Sequence, residues 1–230
     1  MADPTRRRIL VELRVLNRVR DESTVQTARY ELLRRARGLA AFTVAWNVCE
    51  CAVATTAAVL AGSRALAGFG LDSAVESISA TVLLWRIGAE QRDPDRVEHV
   101  ERVATRLIGA SFLVLGAFVG VEAVRSLILG KRPEASPVGI GVTAVSLVVM
   151  PLLARRKRVV AIALGSRAAE ADSAQTRACA WLSAVVLAGL ALNAGLGWWW
   201  ADPVAALGVV VLLAREGREA LAAEHIDDCC

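Results

Sequence analysis

Two stretches of this chain, residues 138–154 and 178–196, contain no charged side chain. Runs that are apolar on every side belong in lipid or in a large core. Apolar runs recur at roughly 38–61, 64–88, 104–129, 137–154, 169–196 and 201–221. Each supplies about the ~20 residues that a ~30 Å hydrocarbon layer requires at 1.5 Å of rise per residue. With 55 % hydrophobic residues and a mean hydropathy of +0.47, the chain is too apolar for an ordinary soluble domain. Strands of a membrane barrel alternate in polarity over ~10 residues, and no segment here does. The sequence therefore predicts an all-α membrane protein with six transmembrane helices.

Positive charge orients them, because short cytoplasmic loops collect Lys and Arg. Arginine is dense before the first span, between the second and third (Arg86, Arg92, Arg96, Arg102), and between the fourth and fifth (Arg155, Arg156, Lys157, Arg158, Arg167). The opposite connections hold Arg64, then Lys131 and Arg132, then no basic residue around Trp198, Trp199 and Trp200. Those tryptophans read as an aromatic belt at the outer interface. Both termini are expected in the cytoplasm, and an even number of spans agrees. The expected layout is a basic arm over residues 1–37, a transmembrane domain over 38–222 and a short tail over 223–230. Such a protein is multi-pass in the cell's inner (plasma) membrane. Within the arm, Ile9, Leu10, Leu13 and Leu16 recur at helical spacing. It is either an amphipathic helix on an anionic lipid surface or a solvated basic segment. No short apolar core precedes a cleavage site, so no signal peptide is expected.

The net charge of +4 belongs to arginines at the membrane margins, and no interleaving of basic and aromatic residues suggests nucleic acid. Cys49, Cys51 and Cys179 fall within spans, which excludes a disulfide framework. Gly116 and Gly120 give the third span a close-packing face for another helix, one candidate for a dimer contact. Glu122 and Arg125, three residues apart, are expected to pair or to snorkel. The sequence Gly62-Ser-Arg-Ala65 before Asp72 echoes Gly165-Ser-Arg-Ala168 before Asp172. That is the pattern of an inverted repeat of three spans with a site between the halves.

Asp72 and Glu76 are the most constrained polar residues. Four apart on a helix, they lie on one face, one turn above the other. A charge near the bilayer centre costs roughly 2.5–3.5 kcal/mol on insertion scales. Two like charges repel as well, so one carries a proton unless a cation lies between them. Holding a metal ion or a proton accounts for such a pair. The first span adds Asn47 and Glu50. The fifth adds Asp172, Gln175, Thr176 and Cys179, with Gln175 and Cys179 repeating the four-residue spacing. Three helices thus turn polar stripes inward, offering carboxylate and amide oxygens and a thiolate to a borderline ion such as Zn²⁺. A lone glutamine or cysteine in a membrane helix is more commonly a packing or hydrogen-bonding residue, and Ser183 and Asn193 are read that way. His225, Asp227, Asp228, Cys229 and Cys230 group metal-ligand types on the tail, where a solvated end explains them equally. No nucleophile–base pair or cofactor loop is present, so the chain is not read as an enzyme.

These residues resemble those of the cation diffusion facilitators, the cation efflux family. Ser63-Arg-Ala-Leu followed by Asp72-Ser-Ala-Val-Glu76 is similar to the family's second span, which carries an Asp-x3-Asp pair. Ala171 through Cys179, then Ala201-Asp-Pro203, is similar to its fifth span and the opening of the sixth. The resemblance covers about residues 38–222. It is nearest to a short bacterial branch with a Gly-Phe-Gly-Leu-Asp-Ser-x2-Glu second span, a Gly-Trp-Trp-Trp-Ala-Asp-Pro turn and a Cys-Cys end, lacking the C-terminal cytoplasmic domain. The vertebrate transmembrane zinc transporter of synaptic vesicles is a more distant likeness. The resemblance implies a cation-efflux-type transmembrane domain that exports divalent cations, zinc above all, with cobalt, cadmium and manganese as alternatives. It implies protons as the counter-ion, and a homodimer resting on membrane helices alone. Asp72 and Glu76 take the two acidic positions of the second span. The family's fifth-span His-x3-Asp falls on Gln175 and Cys179, which removes a proton-exchanging ligand and softens the site. Glu50 and Asp172 are candidates for the missing charge. The rival reading is a non-transporting membrane protein of the same fold, a partner subunit or metal sensor.

Overall fold

The structure, a computed structural model, describes residues 4–61, 64–130 and 137–222. It contains helices α1 (Pro4–Ala61), α2 (Arg64–Arg92), α3 (Val97–Leu129), α4 (Pro137–Leu164), α5 (Arg167–Leu196) and α6 (Ala201–Ala222), with one 3-10 turn at Pro94–Arg96. No strand occurs among the described residues. The six helices match the six expected spans, with two differences at their ends.

First, no break separates the expected arm from the first span. α1 is one helix of 58 residues, about 87 Å long at 1.5 Å per residue. The arm is rich in good helix formers, and Gly38, the one glycine in this helix, is too weak a breaker to interrupt it. Second, α4 continues ten residues beyond the expected end at 154, through the basic run and on to Leu164. The reason is its buried face: Leu153, Ala154, Val160, Ala161 and Leu164 keep helical spacing across the charges. Gly165, at φ 63°, reverses the chain in the left-handed region that glycine tolerates. Ser166 then caps α5 by accepting from the Ala169 N–H at 3.1 Å.

Among the described residues, three helices hold stretches long and apolar enough to cross a membrane by length and composition: Thr24–Thr56, Val97–Leu129 and Arg167–Asn193. α2 carries Asp72 and Glu76, α4 the basic run from Arg155, and α6 Asp202 and Arg215. Their place in the bilayer relies more on neighbouring helices. Large apolar side chains cover the outside, among them Val48, Val114, Val121, Val159, Trp181 and Val211. Such a surface suits lipid and not water.

α1 pairs with α2, α3 with α6, and α4 with α5, while α5 also touches α2, α3 and α6. α5 is therefore the middle of the bundle, and residues 168–180 are buried except at Glu170 and Arg177. α1 presents one inward stripe, Leu33, Ala36, Ala40, Thr43, Asn47, Glu50 and Ala54, whose steps of three and four mark a helix face. The glycine face of α3 is used within the chain. A Cβ on Gly116 would meet Leu213 at 3.4 Å, one on Gly120 would meet Val210 at 3.6 Å, and one on Gly109 would meet Gly217 O at 3.2 Å. Here α6 takes the place of the dimer partner the sequence allowed. Glu122 and Arg125 do pair, at 3.6 Å, and Trp198 stacks on Trp200 at 5.4 Å. α2 and α5 both start at the arginine of the repeated Ser-Arg-Ala sequence, although Gly62 and Ser63 lie outside the described residues. The tail residues His225 to Cys230 lie outside them too.

Candidate functional site

The polar stripes of α1, α2 and α5 come together along α2, which packs against both of the other helices. Asp72 (6 % exposed), Glu76 (0 %), Glu50 (5 %), Gln175 (1 %) and Cys179 (2 %) are all buried there. The Cys179 thiol donates to Asp72 Oδ2 at 2.8 Å, joining α5 to α2 across 107 residues of sequence. Glu50 stands on α1 between two hydroxyls: Ser73 donates to its Oε2 at 3.1 Å, and Ser146 of α4 donates to its Oε1. Glu76 lies within electrostatic reach of Asp72, Glu50 and Cys179.

Several buried polar groups at this crossing are left open. Of the possible donors among the described residues, only the Cys179 thiol comes near Glu76, and that thiol donates to Asp72; neither polar end of the Asn47 amide has a partner. Buried polar atoms without partners are rare and costly. The crossing thus gathers three carboxylates, a thiol and two amides in a buried setting. Among the described residues, however, no three His, Cys, Asp or Glu side chains converge tightly enough to hold one ion as they stand.

Gln175 differs from its expected role as an oxygen ligand. Its Oε1 accepts from Ser79 at 2.6 Å and from Ser111 at 3.1 Å, which leaves Nε2 as its free end. A half-turn of the amide exchanges the two ends, since both hydroxyls also accept. Asp172 is brought elsewhere. It lies lower on the same face of α5, with Lys157 Nζ 2.8 Å from its Oδ2, so its charge is already matched. Sequence reasoning placed Lys157 in a basic loop; its register with Leu153, Ala154, Val160, Ala161 and Leu164 was the signal that it turns inward.

A second polar layer closes the arginine-rich end, and it too was missed. Arg86, 3 % exposed, binds both Glu90 and Glu101. Arg29 of α1 donates to Glu90 at 2.7 Å. Glu101 accepts from Ser166 and from the Ala168 N–H, each at 2.8 Å, so a carboxylate sits on the first turn of α5 where the helix dipole favours it. The layer ties α1, α2, α3 and α5 together below the carboxylate crossing.

Comparison with known proteins agrees with this architecture. Residues 41–223 match the model of the cation efflux transmembrane domain. A protein named as an uncharacterized transporter in Synechocystis sp. is 30 % identical over 186 residues, covering 76 % of this chain and 58 % of that one. The magnetosome protein MamB of Magnetospira sp. is 26 % identical over 166 residues, covering 70 % of this chain and 56 % of its own length. The chain thus spans just over half the length of these relatives. On the match over residues 41–223, this chain belongs to the cation efflux family and carries its transmembrane domain.

Proposed function

We propose that this chain exports a divalent metal cation from the cytoplasm in exchange for protons, with zinc as its first substrate. Cobalt, cadmium and manganese are alternatives. The observation that carries the reading is Glu76: a fully buried carboxylate, one turn from Asp72, that no donor among the described residues but the Cys179 thiol approaches. Asp72, Glu76 and Cys179 are the ligands we assign, with Gln175 completing four once its amide turns, or Asn47 doing so from α1. Glu50, already hydrogen-bonded to Ser73 and Ser146, supplies nearby negative charge and not a first ligand. The thiol proton now shared with Asp72 must leave when a metal binds, which couples the two ions at one place. Return of protons to the carboxylates and thiol then releases the metal on the far side, as helices rock between two openings.

The family membership and the transporter named in Synechocystis sp. support this reading. So does the distribution of arginine, from which we infer cytoplasmic termini and an inner (plasma) membrane location. A homodimer would have to form outside the α3–α6 glycine face. The test is zinc entry into inside-out vesicles carrying a zinc-sensitive dye, with and without an imposed pH gradient. Gradient-dependent entry that is lost in Glu76→Gln is expected. Undiminished entry in Asp72→Ala or Glu76→Gln, from folded protein, overturns the site.

One observation favours a second reading, a non-transporting partner subunit or sensor: the Gln175 Oε1 is taken by two serine hydroxyls, which leaves a donor and not an acceptor as its free end. Absence of flux for every ion, from folded protein that still binds zinc, would establish it.

A further inference from the structure

The assigned site leaves the buried Lys157–Asp172 pair without a role. The two side chains are 3 % and 0 % exposed and 2.8 Å apart. Lys157 also donates to Thr176 Oγ1 at 2.9 Å, while Asp172 Oδ1 has no hydrogen-bond partner. The pair borders a cavity of about 10 Å³ whose other walls are apolar, including Leu39, Leu83 and Val160. That volume is near the least that holds one water. A buried ion pair is commonly no more stable than apolar side chains of similar volume. Stability alone therefore does not explain why Lys157 turns inward while Arg155, Arg156 and Arg158 beside it are exposed.

Position suggests what does. Asp172, Thr176 and Cys179 share one face of α5, with Asp172 nearer the arginine-rich end that we place in the cytoplasm. An ion travelling from that end to Cys179 along this face passes Asp172 first. We propose that Asp172 and Thr176 form a staging site for the divalent cation, and that the Lys157 ammonium is its tethered place-holder. The inference rests on the transport reading above. Two positive charges repel strongly in so dry a setting and cannot share the same oxygens. The arriving ion displaces Lys157, whose four-carbon stem is flexible enough to swing aside. When the ion moves on to the thiol-bearing site, the ammonium returns and blocks the way back. The staging donors are all hard oxygens and discriminate little; the sulfur of Cys179 does the selecting.

The test uses the full chain in liposomes with its arginine-rich end outward, a zinc-sensitive dye inside, and initial rates measured against zinc concentration. Asp172→Asn is expected to raise the half-saturating zinc concentration about ten-fold with the maximal rate within about two-fold. Lys157→Met is expected to lower half-saturation by a similar factor, and Lys157→Arg to resemble the unmodified protein. Should Asp172→Asn not fold, Asp172→Asn with Lys157→Met, which removes both charges, carries the same ten-fold expectation. Half-saturation unchanged in these variants, whatever their melting temperatures, makes the pair a plain α4–α5 anchor and overturns the staging site. Absence of zinc flux in the unmodified, folded protein instead overturns the transport reading itself, so the two failures are distinguishable.

Discussion

Arg86 is the cation on which the arginine-rich end closes, and its removal has a calculable cost. Its side chain is 3 % exposed and holds Glu90 (8 %) and Glu101 (17 %) together. Arg86→Met keeps much of the volume and removes the charge. Breaking a buried pair by removing one partner costs ~3–5 kcal/mol, because the other charge stays behind in a dry site. Here Glu90 keeps Arg29, and Glu101 keeps Ser166 and the Ala168 N–H, so the lower end, about 3 kcal/mol, is expected. For a chain of this length that lowers the melting temperature by roughly 6–12 °C, at about 2–4 °C per kcal/mol. Arg86→Lys keeps a cation but lacks the planar fork that serves two carboxylates. It should lose one charge-assisted hydrogen bond, about 1.5–3 kcal/mol. Adding Glu101→Gln to Arg86→Met removes the stranded charge and should recover part of the loss. The assay is thermal unfolding in detergent, run as a double-mutant cycle. Arg86→Met melting within about 2 °C of the unmodified protein, or no recovery on adding Glu101→Gln, would refute the reasoning.

Two glycines should respond oppositely to one substitution. A Cβ on Gly189 would run into Asp202 Cβ and lie 2.9 Å from its Cα, whereas Gly88 has nothing within 4 Å. Gly189→Ala should lower stability by about 1–3 kcal/mol through overpacking, and Gly88→Ala should raise it by up to about 1 kcal/mol through helix propensity; both are read by thermal melting. Cys179→Ser exchanges a soft donor for a hard one, so the cadmium-to-manganese flux ratio should fall about ten-fold in vesicles.

The six helices were legible because lipid demands long apolar runs, and the Asp72–Glu76 pair because a four-residue spacing fixes a shared face. Partnerships between helices were not. Four basic residues in a row read as a loop, yet only Lys157 of the four falls in register with Leu153, Val160 and Leu164, and so only it is buried. Ser73 and Ser146 look like any serine of a membrane helix until α1 brings Glu50 between them. Arg86 was counted as a cytoplasmic margin residue, which describes its place on α2 and misses the two glutamates that surround it. Asp172 looked like a spare ligand because nothing in the sequence links it to a lysine fifteen residues earlier.

The α3–α6 contact allows a last test of what moves. Gly109, Gly116 and Gly120 lie against Gly217, Leu213 and Val210, a backbone approach close enough that the two helices should travel as one body. None of the ligands assigned above is on either helix, so rocking that opens the site has no need to separate them. A Cβ on Gly116 would stand 3.4 Å from Leu213 Cβ, close to the ~3.5–4.5 Å that a disulfide spans. Gly116→Cys with Leu213→Cys, in a variant with Cys49, Cys51, Cys229 and Cys230 replaced by serine so that Cys179 alone remains of the five native cysteines, should therefore oxidise readily. If α3 and α6 move together, the oxidised protein exports zinc at a rate within about two-fold of the reduced one. Loss of flux on oxidation, restored by reductant, would mean that the two helices part during the cycle. The glycine face would then be a sliding surface and not a fixed joint.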